Sequence, residues 1–374
     1  MIPLFQLDLY DKDRNWKFPV GAFVSLEGTK RVDNISDLDF TVKATHNRLD
    51  FMMTPGTRVR CKLRGETLIE GPIRGWGGDG PGVSGEFTFS VEDNFRILRN
   101  FLIYQVPGGD MPAQAGAYHY TQTGPVETVF KDIVNLNIAA RGIEPIIIAT
   151  DLGRGGVVTA QARMAKIYNE MFPLLEANGL AARVTASPAG LTVDVYEPGV
   201  YPNVLSEGSR IVKKWKARVE APDVTHVVVG GQGQAEARTF ISATDTTREA
   251  LWGDRIEMFQ DARDASDLNT YDERAEESLF EGQGSASIEV VLAETKNFKF
   301  GGPDGLNVGQ IVTAKVANNK VEVTDILREI DFSWNAEDGL RLKGTIGRKV
   351  DPSAQVVYAI SKLAGSLNKL KASE

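Results

Sequence analysis

Apolar and polar residues alternate with period two through most of this chain, and one alternating unit occurs twice. From Gly56 to Ile73 the sequence reads GTRVRCKLRGETLIEGPI, with Val59, Cys61 and Leu63 separated by basic residues ahead of Arg64-Gly65. From Gly309 to Ile326 it reads GQIVTAKVANNKVEVTDI, with Asn318-Asn319 at the turn. Without a gap, Gly56, Val59, Lys62, Leu63 and Ile73 fall on Gly309, Val312, Lys315, Val316 and Ile326. Each stretch predicts two strands joined by a turn of residues that accept positive φ. An alternating strand precedes each copy, LDFTVKA from Leu38 and SIEVVLA from Ser287. A closing strand follows each, with Gly85 to Val91 matched to Gly339 to Thr345. Closure is the simplest way to remove the exposed edges of such strands. The expected fold is therefore α+β and β-rich, with two similar small antiparallel β-barrels.

The period changes between the copies. Residues 1–105 read as the first barrel, with Phe5, Leu7 and Leu9 alternating and glycine-rich turns such as Gly75 to Gly85, a hairpin loop. Residues 106–205 read as an α/β insert. A helix follows Pro125, with Val126, Val129, Phe130 and Ile133 at helical spacing and Gly142 as its stop. The run EPIIIAT comes next, then a second helical stretch from about Ala160 to Ala177 that Pro173 kinks or divides, and a hairpin of LAARVTA and LTVDVYE. The second barrel is split, over 206–244 and 286–350. On its strand after Arg210, Ile211, Trp215, Ala217 and Val219 share one face and lysines the other. Residues 245–285 form an acidic helical insertion with an apolar stripe of Trp252, Ile256 and Phe259, and 351–374 a last helix striped by Val356, Ile360 and Leu363.

Composition narrows the function classes. With 374 residues the chain can hold several cores. It has no run of 18 apolar residues, so no membrane segment is expected. MIPLFQLDLYDKD lacks the basic start of a signal peptide. Cys61 is the single cysteine, so no disulfide framework is expected, and its place within a strand makes it a small core residue. The formal net charge of −8 is concentrated between Asp245 and Glu281, where twelve acidic residues face four basic ones. Sequence-specific nucleic-acid binding is not expected of such a chain.

No residue set carries a chemical signature. VVVGGQG at Val227 to Gly233 places Gly231 and Gly233 at two positions of a dinucleotide fingerprint, but Glu236 occupies the third and no amphipathic helix follows. The histidines, His46, His119 and His226, lie in separate segments without metal-ligand spacing. Asp261, Asp264 and Asp267 are spaced by three, unlike a calcium loop. Catalytic, cofactor-binding and metal-binding residues are accordingly assigned as none.

The hairpin entry Pro55-Gly56-x-x-Val59, the α/β insert and the interrupted second barrel resemble the hub proteins of long-tailed (siphovirus-type) phages, the baseplate-hub or tail-associated minor tail proteins, including those of phages infecting actinobacteria. Leu251-Trp252-Gly253-Asp254-Arg255-Ile256-Glu257, the Leu306-x-x-Gly309-x-x-Val312 entry and Gly344-Thr345-Ile346-Gly347 look like that group too. The resemblance implies a non-enzymatic virion protein at the tail tip, assembled in the host cytoplasm. It implies a homotrimer whose six barrels form a pseudo-sixfold ring and part of the DNA channel. The implied neighbours are the distal tail or tail tube protein, the tape measure protein, and spike or fibre proteins beyond. Relatives often continue into a peptidase or lysin region; murein hydrolysis is not expected here. The alternatives are a tail-associated cell-wall hydrolase using carboxylates of the acidic insertion, and a carbohydrate- or receptor-binding module using Tyr118, Tyr120 and Trp76.

Overall fold

The computed structural model describes residues 3–117, 119–263 and 268–347. Among these residues thirteen strands join into one sheet. Its main path runs Val212–Glu220, Ser285–Leu292, Gly339–Gly347, Val321–Asn335, Ser25–Arg31, Asp37–Lys43, Glu86–Glu92, Glu66–Asp79, Arg58–Leu63, Phe5–Tyr10, Trp16–Val20. Ile311–Val316 and Leu205–Ser206 branch off at Val321–Asn335. Every pairing on the main path is antiparallel, and its two ends stay apart, so no ring of strands closes among the described residues.

The two halves of this path share one plan. In the first, Ser25–Arg31, Asp37–Lys43, Glu86–Glu92 and Glu66–Asp79 lie side by side, and the arm Arg58–Leu63 pairs with the start of the long strand. In the second, Val212–Glu220, Ser285–Leu292, Gly339–Gly347 and Val321–Asn335 repeat the order, with Ile311–Val316 as the arm. Each long strand carries a bulge where it changes partner, between Ile73 and Gly75 and between Leu327 and Glu329. The extra residue is an arginine both times, Arg74 and Arg328. A bulge bends its strand and raises the twist, which suits a strand that serves two ladders.

The matched hairpins differ at the turn. Arg64 and Gly65, at φ +52° and +88°, form a two-residue turn. The second hairpin pairs Val316 with Val321, so its loop has four residues, with positive φ at Ala317, Asn318 and Asn319. Gly56 and Gly309 enter the arms at φ +88° and +90°. Val59, Cys61 and Leu63 are buried, as are Val312, Ala314 and Val316. The closing strands correspond one residue later than the sequence match set them. Phe40 pairs with Phe89 and Val290 with Gly344, whereas the match placed Phe89 beside Lys343. A one-residue slip exchanges the faces of a strand, and the later register alone buries Val91 and Ile346 together.

One apolar cluster serves both halves, including Phe5, Phe40, Cys61 and Phe89 with Ile288, Val290, Val312 and Ile330. A second cluster fills the α/β insert. There Val126–Val134 continues into a π turn, Asn135–Ala139, and packs with Ile167–Ala177 and the hairpin Ala181–Ser187/Gly190–Tyr196. The second helix starts at Ile167, not near Ala160, because Val157–Ala162 is a strand paired with Tyr120–Pro125.

The segment expected to complete the second barrel behaves otherwise. His226–Gly230 and Phe240–Thr244 pair with Glu257–Asp261 in a separate three-stranded sheet. Val227 and Val229 bury against Tyr271 and Ala275 of the helix Leu268–Glu281, and this third cluster takes them away from the main sheet. Residues 257–261, expected as helix, form a strand, and the proposed stripe dissolves because Trp252 and Phe259 are exposed. The helix expected over 351–374 lies outside the described residues.

Candidate functional site

The residues with candidate chemistry are scattered. His46 sits in a tight turn, its Nδ1 accepting from the Arg48 amide at 3.1 Å, and burial and the Arg48 charge lower its pKa. His226 lies in the three-stranded sheet, 2.6 Å from Thr244 Oγ1, and His119 is half-buried beside the strand starting at Tyr120. Asp261 pairs with Arg238 at 2.6 Å, while Asp264, Asp267 and Tyr118 lie outside the described residues. Cys61 is fully buried, which pushes its thiol pKa up. Gly231 and Gly233 close onto Tyr271 and Ala237: a Cβ on either would stand 2.2 Å from those residues. The glycines therefore serve packing and a turn. Among the described residues no group of three or more His, Cys, Asp or Glu side chains is placed to hold a metal ion.

Two buried ionic groups were not legible. In the insert, Lys131 Nζ meets the fully buried Glu127 at 2.6 Å and donates to the Thr150 carbonyl at 2.8 Å, and the Arg154 amide donates to Glu127 at 2.9 Å. Every oxygen of Glu127 is partnered, so the cluster ties the helix to the loop over 150–154 and leaves no reactive group. Where sheet, insert and acidic insertion meet, Asp33 accepts from the Ala182 amide at 2.8 Å, and Arg328 pairs with Glu176 at 2.8 Å. Burial raises the Asp33 pKa to about 7. Both groups join one part of the chain to another.

The extended feature of the molecule is the polar face of its sheet. Rows of paired residues cross the junction between halves without interruption. Lys343, Asp331, Thr29, Asp37 and Glu92 form one row, and Arg341, Ser333, Glu27, Asp39 and Ser90 the next. Thr29 Oγ1 donates to Asp331 at 2.8 Å, Lys343 meets Glu289 at 3.1 Å, and Thr41 and Thr88 share a hydrogen bond of 2.9 Å. The opposite face carries the apolar row Leu292, Leu342, Phe332, Gly28, Leu38 and Val91.

Among the described residues several strands of this sheet have an unpaired side, Trp16–Val20 at the end of the path included, and two of them lie in the duplicated halves. Val212–Glu220 pairs only with Ser285–Leu292. The end of Glu66–Asp79, from Gly75 onward, pairs only with Glu86–Glu92. Exposed edges are ready templates for strand addition. Both are marked by apolar side chains in solvent, Trp215 and Val219 at 38% and 62% exposure and Trp76 at 51%. Beside Trp76, Gly77, Gly78, Asp79 and Gly80 floor an open depression of about 580 Å³. Trp76, offered by the sequence as a receptor contact, is thus an edge-strand residue, and the glycine stretch from Gly75 is strand up to Asp79.

The fold as a whole is similar to that of phage tail proteins. The 43 kDa tail protein of prophage MuSo2 from Shewanella oneidensis superposes with a TM-score of 0.60 at 15% identity, over 91% of this chain and 98% of that one. The tail protein from Neisseria meningitidis MC58 gives 0.59 at 12%, over 92% and 97%. Prophage tail protein gp18 from Listeria monocytogenes EGD-e gives 0.55 at 11%, over 96% and 99%. The chain belongs to the family of Siphovirus ReqiPepy6 Gp37-like proteins, which matches residues 6–348. The likeness to long-tailed-phage proteins drawn from the hairpins and inserts is thereby borne out. No curated protein matches the chain.

Proposed function

We propose that the protein is a structural hub of a phage tail tip, in which three copies form a ring of six similar units. The carrying observation is the repeated plan: four strands in one order, a bulged long strand and a hairpin arm, twice in one chain. Two such similar units per chain let a threefold assembly present six near-equivalent positions. Such a ring can sit between a sixfold tail tube and a threefold tip, with tail tube or distal tail protein and tape measure on one side and spike or fibre proteins on the other. The polar face lines the central channel, where its mixed rows of carboxylates and basic groups offer DNA no continuous cationic track. The three-stranded insertion and the α/β insert then decorate the outside. In this role the chain acts in the virion without catalysis.

The test is direct. Mass photometry across a concentration series, with negative-stain imaging, is expected to give a species of three chain masses that appears as a ring with a central hole. A monomer at every concentration, or a closed ring of another copy number, overturns the reading.

A further inference from the structure

The sheet contains its own pattern for how one copy meets the next. Within the chain the halves are joined by Val321–Asn335 pairing with Ser25–Arg31, from Glu329 opposite Arg31 to Asn335 opposite Ser25. By position in the repeated plan, Val321–Asn335 corresponds to Glu66–Asp79, since both are the bulged long strand. Ser25–Arg31 corresponds to Val212–Glu220, since each flanks the strand before the hairpin. These counterparts are two of the edges left unpaired among the described residues.

The ladders fix the correspondence residue by residue. Phe40 pairs with Leu26 and Phe89, and Phe89 with Trp76; Val290 pairs with Trp215 and Gly344, and Gly344 with Ile330. Hence Trp76 stands for Ile330, and Trp215 for Leu26. Ile330 faces Lys30, four residues beyond Leu26, so Trp76 faces the residue four beyond Trp215, which is Val219.

We propose that the edge Gly75–Asp79 of one copy adds antiparallel to the edge Val212–Glu220 of a second copy, in the register Trp76 opposite Val219, Gly78 opposite Ala217 and Asp79 opposite Lys216. This rests on the ring reading and names its contact. The chemistry of both edges agrees with the transferred register. Trp76 and Val219, each more than half exposed alone, cover one another on the apolar side. Asp79 meets Lys216 on the polar side, and Arg218 falls opposite Gly77, with nothing within 4 Å of where a Cβ would be. Trp215 falls opposite Gly80, on the same side of the sheet as Trp76 and Val219. A one-residue slip would set Trp76 against Arg218 and exchange the faces of the entire edge.

Cysteine pairs test this. Opposed residues of an antiparallel ladder lie about 4.5–5.5 Å apart at Cα, within disulfide range. The full chain carrying Trp76→Cys and Val219→Cys is expected to give covalent three-chain species on a non-reducing gel under mild oxidation, while Trp76→Cys with Ala217→Cys is not. Because the first pair removes a tryptophan from the contact, a charge exchange provides a second reading. Asp79→Lys or Lys216→Glu alone is expected to weaken association up to about fivefold per contact, and the double exchange to restore it. If three-copy rings form but the shifted pair crosslinks better, or the double exchange restores nothing, the register falls and the ring stands. If no three-copy species forms with the unaltered chain, both readings fall.

Discussion

The two halves of the sheet carry the same plan on different side chains. At the centre of the first, Phe40 stacks on Phe89 with ring centroids 5.3 Å apart, and both are fully buried. At the same place in the second, Val290 lies opposite Gly344. The first half uses a two-residue turn and the second a four-residue loop. The connection that is the short loop over 32–36 in the first half is, in the second, the whole insertion from Ala221 to Gly284. Side chains and loops have diverged, while the strand order, the bulged arginine and the entry glycine have stayed. What the halves retain is backbone geometry, the property a near-equivalent position in an assembly requires.

Three measurements can break that comparison or sharpen it. The largest effect is expected at the centres. Phe40→Ala is expected to cost about 3–5 kcal/mol and Val290→Ala about 2 kcal/mol in denaturant unfolding, because the stacked ring leaves the larger void. Equal losses would mean that the halves do not differ in how they are filled. Next come the entry glycines. Gly309→Ala is expected to cost about 2–3 kcal/mol, from a strained positive φ and a Cβ that would stand 2.6 Å from Tyr196 Oη. Gly56→Ala meets only Lys12 Cβ, at 3.0 Å, and is expected to cost about 1 kcal/mol. If neither costs anything, the shared φ is not a structural requirement. The smallest effects lie on the hairpin surfaces. Glu70, held by Arg60 through bonds of 2.9 and 3.0 Å, is expected to lose about 1–2 kcal/mol on change to Gln. Glu322→Gln in the other hairpin is expected to lose under about 0.5 kcal/mol, since its pair with Lys315 is exposed.

Much of the plan was readable from sequence because period-two alternation writes strands directly. Val59, Cys61, Leu63 and their counterparts show buried faces in the letters alone. The register of the closing strands was not readable, since Gly85 and Gly339 align equally well with the faces of their strands reversed. The edge strand Gly75–Asp79 was hidden for a related reason: glycines carry no pattern, so a strand made of them reads as a loop. The sheet to which Val227 and Val229 belong was also hidden. Alternation says that a strand has a buried face, and only the packing partner, here Tyr271 and Ala275, says which core receives it. The proposed assembly edge was visible in part, as a basic run with Trp215 on one strand, but the complement proposed for it sits at Trp76 and Asp79, far away in sequence.

The stretch from Val212–Glu220 to Glu66–Asp79 contains eight strands, every neighbour antiparallel. Eight is even, so its outermost strands run in opposite directions. Copies set edge to edge by rotation about a common axis therefore continue the up-and-down alternation across every seam. With seven or nine strands, the same rotation would place like-directed strands together and turn each seam into a slanted parallel ladder. Duplicating a four-strand unit guarantees the right parity whatever else the two copies later gain or lose.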